Sequence, residues 1–236
     1  MTAFADLIPR GLIVSCQAPA GSPLQGPGFM VAMARCAEIA GAGAIRADGP
    51  DDVRAIREAT GLPVIGIFKR RDMDPDVYIT PTIAEVAALM AAGATVVAID
   101  ATLRPRRYGT EPPELIAQIH QQHPQALIMA DVASVEEGER AALAGAHAVA
   151  TTLSGYTDYT PSTPGPNLDL VAALASTVRV PVVAEGRYHT PAGVSDALRR
   201  GAYAVVVGTA ITNPIEITRG FVAGAMEGMQ TNGNGG

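Results

Sequence analysis

The sequence predicts an α/β fold, specifically a single (β/α)₈ (TIM) barrel, on three regularities. Short apolar runs rich in Val, Ile and Ala alternate with longer amphipathic segments, eight of each, and such runs are typical of strands buried on both faces of a parallel sheet. The 236 residues give about 29 residues per unit, close to the ~250 residues of a typical barrel. Gly-Ala pairs also recur where a predicted helix ends and a strand begins, at positions 43, 93, 145 and 201. A doubly wound open sheet of six strands with a small lobe is the alternative.

The predicted elements follow one another in regular order along the chain. Thr82 and Ser134 each precede a glutamate by three residues, which fits a capping box at a helix start, and Thr190 is followed by Pro191 at a first-turn position. The glycines of the Gly-Ala pairs are interpreted as helix C-caps with positive φ. Strands are predicted at residues 12–16, 44–46, 63–68, 95–99, 126–130, 147–150, 180–184 and 203–207, and helices at 29–40, 51–60, 83–91, 113–122, 135–143, 168–177, 192–200 and 214–225.

Composition excludes several classes of protein. Apolar residues make up 48% of the chain and charged residues 17%, which excludes wholesale disorder, and no apolar run reaches the ~18 residues of a membrane span. The net charge of −6 argues against a general nucleic-acid binder. The start of the chain lacks a secretory pattern, and Cys16 and Cys36 form no disulfide framework, so we expect a cytoplasmic protein. We expect one domain over residues 1–230 and a flexible tail over 231–236.

A barrel places its chemistry at the carboxyl ends of the strands, and the residues there form a polar mouth. The alternative for any one of these residues is a solvent-facing charge or a structural ion pair. Gly186 and Gly208-Thr209, after strands seven and eight, match the common barrel phosphate site. The residues at the eight strand ends are Ser15, Cys16 and Gln17, then Arg46, Lys69, Asp100, Asp131, Thr151 and Thr152, then Glu185, Gly186 and Arg187, and last Gly208 and Thr209.

A metal site and a nucleophilic triad are both poorly supported by the sequence. Of the four histidines only His189 is near the predicted mouth, so the convergent histidines of a metal site are missing. Ser15 and Cys16 have no histidine at a neighbouring strand end. We therefore expect no metal.

Six segments carry a resemblance that extends over residues 11–222. They are GLIVSCQ at 11–17, PVIGIFKR at 63–70, VYITPT at 77–82, TTLSGYT at 151–157, AEGR at 184–187 and GAYAVVVGTAIT at 201–212. Together they closely resemble the N-acylglucosamine-6-phosphate 2-epimerases, also called N-acetylmannosamine-6-phosphate 2-epimerases. The resemblance implies a (β/α)₈ barrel, a phosphorylated amino sugar as substrate, a role in sialic-acid breakdown, no metal or organic cofactor, and usually a homodimer.

The resemblance also implies roles for individual residues. It makes Lys69 the base and Glu185 the partner acid of the epimerisation, and it places Gln17, Arg46, Asp131 and Arg187 at substrate-contacting positions. One position departs from the pattern. The family often has Thr-Arg-Pro after strand eight, where the arginine helps to hold the phosphate, and this chain has Thr212-Asn213-Pro214. The basic segment 104–107 and the pair Arg70-Arg71 are candidate substitutes for that cation.

The hypothesis for the mechanism is that neutral Lys69 takes the C2 proton of the open-chain sugar while nearby cations stabilise the developing oxyanion. Glu185 would move a proton at O1 or O5, or orient Lys69. Two alternatives remain. One is a different barrel isomerase or lyase, in which Lys69 forms a Schiff base. The other is a sugar-phosphate sensor without turnover.

Overall fold

The protein forms a closed barrel of eight parallel strands in a computed structural model that describes residues 3–232, with side chains through Met229. Each strand pairs with the next, and the last pairs with the first through Gly11↔Ala204 and Val14↔Val207. The predicted (β/α)₈ barrel is confirmed, and the open-sheet alternative is excluded. The strands are β1 (Gly11–Cys16), β2 (Ala44–Asp48), β3 (Val64–Ile67), β4 (Val96–Asp100), β5 (Leu127–Asp131), β6 (Ala148–Ala150), β7 (Val182–Glu185) and β8 (Ala204–Val207).

The helices lie at the predicted places, with two short additions. The additions are four-residue helices at the start of the chain and directly after β8. None of the helices within residues 3–232 is long and apolar enough to cross a membrane. The helices are α1 (Phe4–Leu7), α2 (Pro27–Ile39), α3 (Pro50–Ala59), α4 (Ile83–Ala91), α5 (Pro112–Gln122), α6 (Val135–Leu143), α7 (Leu168–Thr177), α8 (Pro191–Arg199), α9 (Thr209–Thr212) and α10 (Pro214–Asn232).

The predicted helix starts are correct in part. Ser134 and Glu137 form the reciprocal capping box of α6, and Thr190 caps α8 by accepting from the Gly193 amide at 3.2 Å. The capping box predicted for α4 is wrong. Thr82 accepts from the Ala84 amide, and the carboxylate of Glu85 accepts from the Thr82 hydroxyl and from Arg70 instead of a backbone amide.

The repeated Gly-Ala pairs are uniform in sequence but not in backbone conformation. Gly93, Gly145 and Gly201 have φ of +89°, +103° and +99°, as a helix C-cap requires. Gly43 does not, because α2 ends earlier and the left-handed residue after it is Gly41, with φ of +87°. The C-cap prediction is therefore wrong at Gly43.

The last helix runs past its predicted end at residue 225. Because α10 continues to Asn232, the first two residues of the predicted tail, Thr231 and Asn232, are helical. The remaining four lie outside the described residues, and the single-domain boundaries stay a prediction.

The core has two layers separated by the sheet. Strand residues alternate, so that one set packs against the helices and the other fills the barrel interior. Ile13, Ala44 and Val183 belong to the inner set, whereas Val14 and Ile45 belong to the outer set. Phe4 of α1 joins the inner set and stacks edge-on against Tyr203, with ring centroids 6.1 Å apart. The amino-terminal segment therefore closes the bottom of the barrel, which leaves the carboxyl ends of the strands as the open end.

Candidate active site

The period of two along each strand explains which side chains reach the open end of the barrel. A residue two positions after an inward-facing apolar residue also faces inward, one layer higher. Polar residues from six of the strands stand in this relation to a member of the inner core. The pairs are Ile13 and Ser15, Ala44 and Arg46, Ile67 and Lys69, Met129 and Asp131, Ala150 and Thr152, and Val183 and Glu185.

Five of these six polar side chains, all except Asp131, line a cavity of about 300 Å³, the lower end of the range for small-molecule sites. Eight of the nine predicted site residues line it. They are Gln17, Arg46, Lys69, Glu185, Gly186, Arg187, Gly208 and Thr209. The ninth, Asp131, has a fully buried side chain that does not line the cavity.

Arg46 joins two carboxylates at the cavity floor. Its guanidinium donates to both oxygens of Asp131, at 3.0 Å and 2.5 Å, and to Oε2 of Glu185 at 2.6 Å. Arg46 is only 1% exposed. Burial alone lowers the pKa of Arg46, but the two carboxylates outweigh it and raise that pKa above its usual value. Arg46 is therefore a fixed cation at the bottom of the cavity.

Glu185 is held in place through its backbone as well as its side chain. Its amide donates to the Thr151 hydroxyl at 3.0 Å, and that hydroxyl donates back to the Glu185 carbonyl at 2.9 Å. Burial raises the pKa of Glu185, and the Asp131 carboxylate adds to the rise, whereas Arg46, Thr152 and Lys69 oppose it. Glu185 therefore keeps a proton to higher pH than an exposed glutamate does, which favours a role in proton transfer.

Lys69 is the only lysine in the sequence. Its ammonium group donates to Oε1 of Gln17 and lies 3.4 Å from Oδ2 of Asp48, while its own amide donates to Oδ1 of Asp48 at 3.0 Å. An antiparallel bridge between Lys69 and Ile79 fixes the backbone at residue 69. The segment after this bridge turns at Thr80, which has a left-handed φ of +46°. The lysine is therefore oriented from two sides toward the cavity.

Arg187 is tied down by its neighbours. Its backbone is left-handed, with φ of +59°, and its guanidinium donates to the carbonyls of Ser154 and Gly165, both at 2.9 Å. The same group lies 5.2 Å from the centre of the Tyr156 ring. A Cβ on Gly155 would approach its Nη1 to 2.8 Å, so glycine leaves the space that Arg187 occupies.

The predicted phosphate-binding residues lie together on one side of the cavity. Gly186 has φ of +108°, and Gly208 directly precedes α9. Asn213 lies away from the cavity lining, and its Oδ1 accepts from the Glu216 amide at 3.3 Å at the start of α10. Asn213, which stands where the family often has arginine, thus caps a helix.

The other candidate cations do not reach this cavity. Arg104 and Arg106 both pair with the buried Asp100, at 2.7 Å and 3.6 Å. Arg70 pairs with Asp72 and Glu85, and Arg71 stacks on Tyr78. Of these, only the ring partner Tyr78 lines the cavity.

The charge of the lining is the reverse of that of the chain. Lys69, Arg46 and Arg187 line the cavity against a single carboxylate, Glu185, although the whole protein carries a net charge of −6. Such a local excess of cations favours an anionic ligand. Among residues 3–232, no group of three or more His, Cys, Asp and Glu side chains is placed to hold a metal ion.

Sequence reasoning assigned no role to two residues that the structure brings into the site. Thr152 lines the cavity and contacts both Asp131 and Glu185, and Asp48 contacts Lys69. Thr152 stands two positions after the inward-facing Ala150, which is enough to predict that it lies at the mouth. Nothing in the sequence indicates that it contacts Asp131 and Glu185. Asp48 lies two residues beyond the predicted end of β2, so no pattern in the sequence places it next to Lys69.

The fold and the cavity together define the class of (β/α)₈-barrel enzymes, whose active sites lie at this end of the strands. The chain belongs to the N-acetylmannosamine-6-phosphate epimerase family. The family model described as “Putative N-acetylmannosamine-6-phosphate epimerase” matches residues 30–227.

Individual relatives and a solved structure agree with this assignment. A protein of Caldanaerobacter subterraneus subsp. tengcongensis named “Putative N-acetylmannosamine-6-phosphate 2-epimerase” is 50% identical over 213 residues, 90% of each chain. One of the same name from Cutibacterium acnes is 44% identical over 227 residues, 94% of this chain and 98% of that relative. The solved structure of the N-acetylmannosamine-6-phosphate 2-epimerase from Clostridium perfringens superposes with a TM-score of 0.88 at 42% identity, over 94% of this chain and 96% of that one.

Proposed function

We propose that the protein interconverts N-acetylmannosamine 6-phosphate and N-acetylglucosamine 6-phosphate by removing the C2 proton and returning it on the other face. The observation that carries this proposal is that one amine, Lys69, and one carboxyl group, Glu185, line the same cation-rich cavity. Family membership and the names of the relatives supply the substrate.

The chemistry sets what the cavity must do. C2 is acidic only when the ring is open and C1 is an aldehyde, so the enzyme must favour ring opening and then stabilise an enediolate-like oxygen. The amine of Lys69, oriented by Gln17 and Asp48, takes the C2 proton. Rotation about the C2–C3 bond of the enediolate-like intermediate then turns the opposite face of C2 toward the same group, which returns a proton there. Glu185, whose pKa is raised by burial, moves a proton at O1 or O5. Arg46 and Arg187 stabilise the negative charge that develops on oxygen.

The remaining site residues bind the substrate. Gln17 and Arg187 contact its acyl-amino and hydroxyl groups, and the turns at Gly186 and Gly208-Thr209 receive the phosphate. Asp131 serves this binding from behind, by holding Arg46 in place. No cofactor takes part in this scheme. The family often has an arginine at position 213, but this chain has an asparagine, which caps α10. The phosphate is therefore held here without that arginine.

The same family membership supports a homodimer, and the surface of α10 indicates where it forms. Every described side chain from position 218 to 229 is exposed. Phe221, Val222, Met226 and Met229 are 52–78% exposed and fall on one stripe of the helix. An apolar stripe of this kind marks an interaction surface. We propose that a second copy of this chain covers it.

A cytoplasmic location is also part of the proposal. Cys16 is buried and Cys36 is exposed, and neither forms a disulfide. Free thiols of this kind persist in a reducing compartment. Fractionation of source cells would test the location, and recovery outside the cytoplasm would contradict it.

Proton NMR in D₂O tests the reaction. We expect N-acetylmannosamine 6-phosphate to give the gluco isomer with deuterium at C2. Lys69→Ala should lose about 10²-fold or more in kcat, whereas Arg54→Ala, which removes an exposed cation of α3 far from the cavity, should keep it. Product without deuterium at C2, or a Lys69→Ala enzyme with normal turnover, would overturn the proposal.

The alternatives give different results in the same assay. A Schiff-base lyase would be trapped on Lys69 by borohydride, and because this is the only lysine, a single modified peptide would report it. A sensor would bind the sugar phosphate without converting it. Turnover of the unphosphorylated sugar alone would show that the Asn213 position has changed the specificity.

A further inference from the structure

Thr152 lies at the centre of the charged cluster without an assigned role. It follows β6 by two residues, lines the cavity, and places its Oγ1 2.7 Å from Oδ1 of Asp131 and 3.2 Å from Oε2 of Glu185. Nη1 of Arg46 reaches the same oxygen at 3.4 Å. The hydroxyl is thus shared by all three charged groups of the cavity floor.

A hydroxyl has one hydrogen to donate, and here two carboxyl oxygens compete for it. An ionised carboxylate only accepts hydrogen bonds, but a protonated one also donates. Asp131 already receives two hydrogen bonds from Arg46, whereas Glu185 receives one. The carboxyl group that gains and loses a proton therefore decides which way the hydroxyl points.

We propose that Thr152 is a positioning residue whose hydroxyl changes its acceptor with the proton on Glu185. When Glu185 is ionised, the hydroxyl donates to it. When Glu185 carries a proton, the hydroxyl accepts from that group and donates to Asp131. No bond other than hydrogen bonds is made or broken. This inference rests on the proposed function, in which Glu185 exchanges a proton with the sugar.

The surroundings of Glu185 set the direction of the effect. Burial and Asp131 raise the pKa of Glu185, and the hydrogen bond from Thr152 lowers it together with Arg46 and Lys69. Loss of the hydroxyl removes a hydrogen bond from both forms of Glu185. The bond to the ionised form is charge-assisted and therefore the stronger of the two, so its loss raises the pKa of Glu185 further. The other charged and titratable groups that line the cavity are Arg187, Tyr78, Tyr156, Tyr188 and His189, and the substitutions below leave them unchanged.

Three variants separate the hydroxyl from the rest of the side chain. Thr152→Val keeps the volume and removes the hydroxyl, whereas Thr152→Ser keeps the hydroxyl. Thr177→Val is the matched control, because the Thr177 hydroxyl binds only the Ala173 carbonyl within α7, away from the cavity. We expect Thr152→Val to lower kcat about tenfold and to move the pH limb set by Glu185 to higher pH. Thr152→Ser and Thr177→Val should keep the wild-type midpoint.

Two results would overturn the inference. One is a wild-type midpoint in Thr152→Val, and the other is a midpoint that moves equally in Thr152→Ser, since packing and not the hydroxyl would then be responsible. If Thr152→Val does not fold by circular dichroism, Thr152→Ala makes the same comparison.

A direct titration separates this inference from the proposed function. The carboxyl stretch of Glu185, assigned by subtracting the infrared spectrum of Glu185→Gln, gives its protonation without substrate. A shift between wild type and Thr152→Val in that titration supports the inference even if the wild-type enzyme fails to convert the sugar phosphate. Identical titrations would contradict it even if the enzyme is an active epimerase.

Discussion

Arg46 and Asp131 form a two-pronged ion pair beneath the cavity floor, with Nη1–Oδ1 of 3.0 Å, Nη2–Oδ2 of 2.5 Å and side chains 1% and 0% exposed. The guanidinium lines the cavity and the carboxylate does not, so Asp131 lies behind Arg46 as seen from the ligand. The pair contributes to stability as well as to the site, because either charge would be costly to bury without the other.

Asp131→Asn should therefore destabilise the protein. Removing one partner leaves Arg46 buried with Glu185 as its only ion-pair partner, and we expect a loss of about 3 kcal/mol in the free energy of unfolding. Urea denaturation measures it. Asp169→Asn, which breaks the exposed ion pair with Arg200, is the control and should show no measurable loss. A loss at Asp131 no larger than at Asp169 would contradict the structural role.

Gly155→Ala should disturb Arg187. The new Cβ would come within 2.8 Å of Nη1, and φ of +79° strains any residue other than glycine. We expect a stability loss of about 1–2 kcal/mol and a several-fold rise in KM as the guanidinium leaves its two carbonyl partners. Gly21→Ala, with the same φ of +79° but with open space around it and no contact with Arg187, is the control for backbone strain alone. Equal KM values for the two variants would show that Arg187 does not bind substrate.

Asp52 should make stability depend on pH. Burial, with help from Asp48 and Asp51, raises the pKa of Asp52 from 3.8 to about 6. The unfolded chain therefore loses this proton first as pH rises, stability falls from about pH 4 to pH 6, and the penalty is complete above that. Because the side chain is only half-buried, we expect Asp52→Asn to add about 1 kcal/mol at pH 8 and about a third of that at pH 4.5.

Urea titrations of wild type and Asp52→Asn at both pH values test this expectation. Asp169→Asn again serves as the control, since it removes an exposed carboxylate from the first turn of α7. A gain that is the same at pH 8 and pH 4.5 would show that charge is not the cause.

The apolar stripe of α10 should control assembly. We expect the wild-type protein to sediment as a dimer and Phe221→Glu combined with Met226→Glu to shift it to the monomer, because two charges would enter the interface. Gly220→Glu, which lies on the opposite face of the same helix with open space around it, should leave the dimer intact. A monomeric wild-type protein at micromolar concentration would refute the proposed interface.

The strands were predictable because their signal is local. β4 and β5 lie within one residue of their predicted bounds, since a buried parallel strand is a continuous apolar run. Asp100, Asp131 and Glu185 were placed just beyond the strands, yet each is the last residue of its strand. In a sequence, a charged residue after an apolar run is taken to mark the end of the strand. Asp131 and Glu185 can stay within their strands because they pair with Arg46, which lies far away in sequence.

Within the site, the direction in which a side chain points is predictable from the sequence, whereas its contacts are not. The period of two predicts that Arg46 and Glu185 face inward, but not that they touch, because they are 139 residues apart. The pairing of Arg46 with Asp131 spans 85 residues, and it turns a residue expected at the substrate into one that supports Arg46. Such pairings depend on barrel closure, which brings distant strands together only after folding.

A protein whose single lysine lines the candidate active-site cavity offers an experimental advantage. Reductive methylation with isotopic formaldehyde would label one side-chain amine per chain, besides the amino terminus, so its resonance would need no assignment. The same reagent would count functional sites in a preparation by the fraction labelled. Coupling to a surface through amines, by contrast, would consume the group on which the proposed turnover depends.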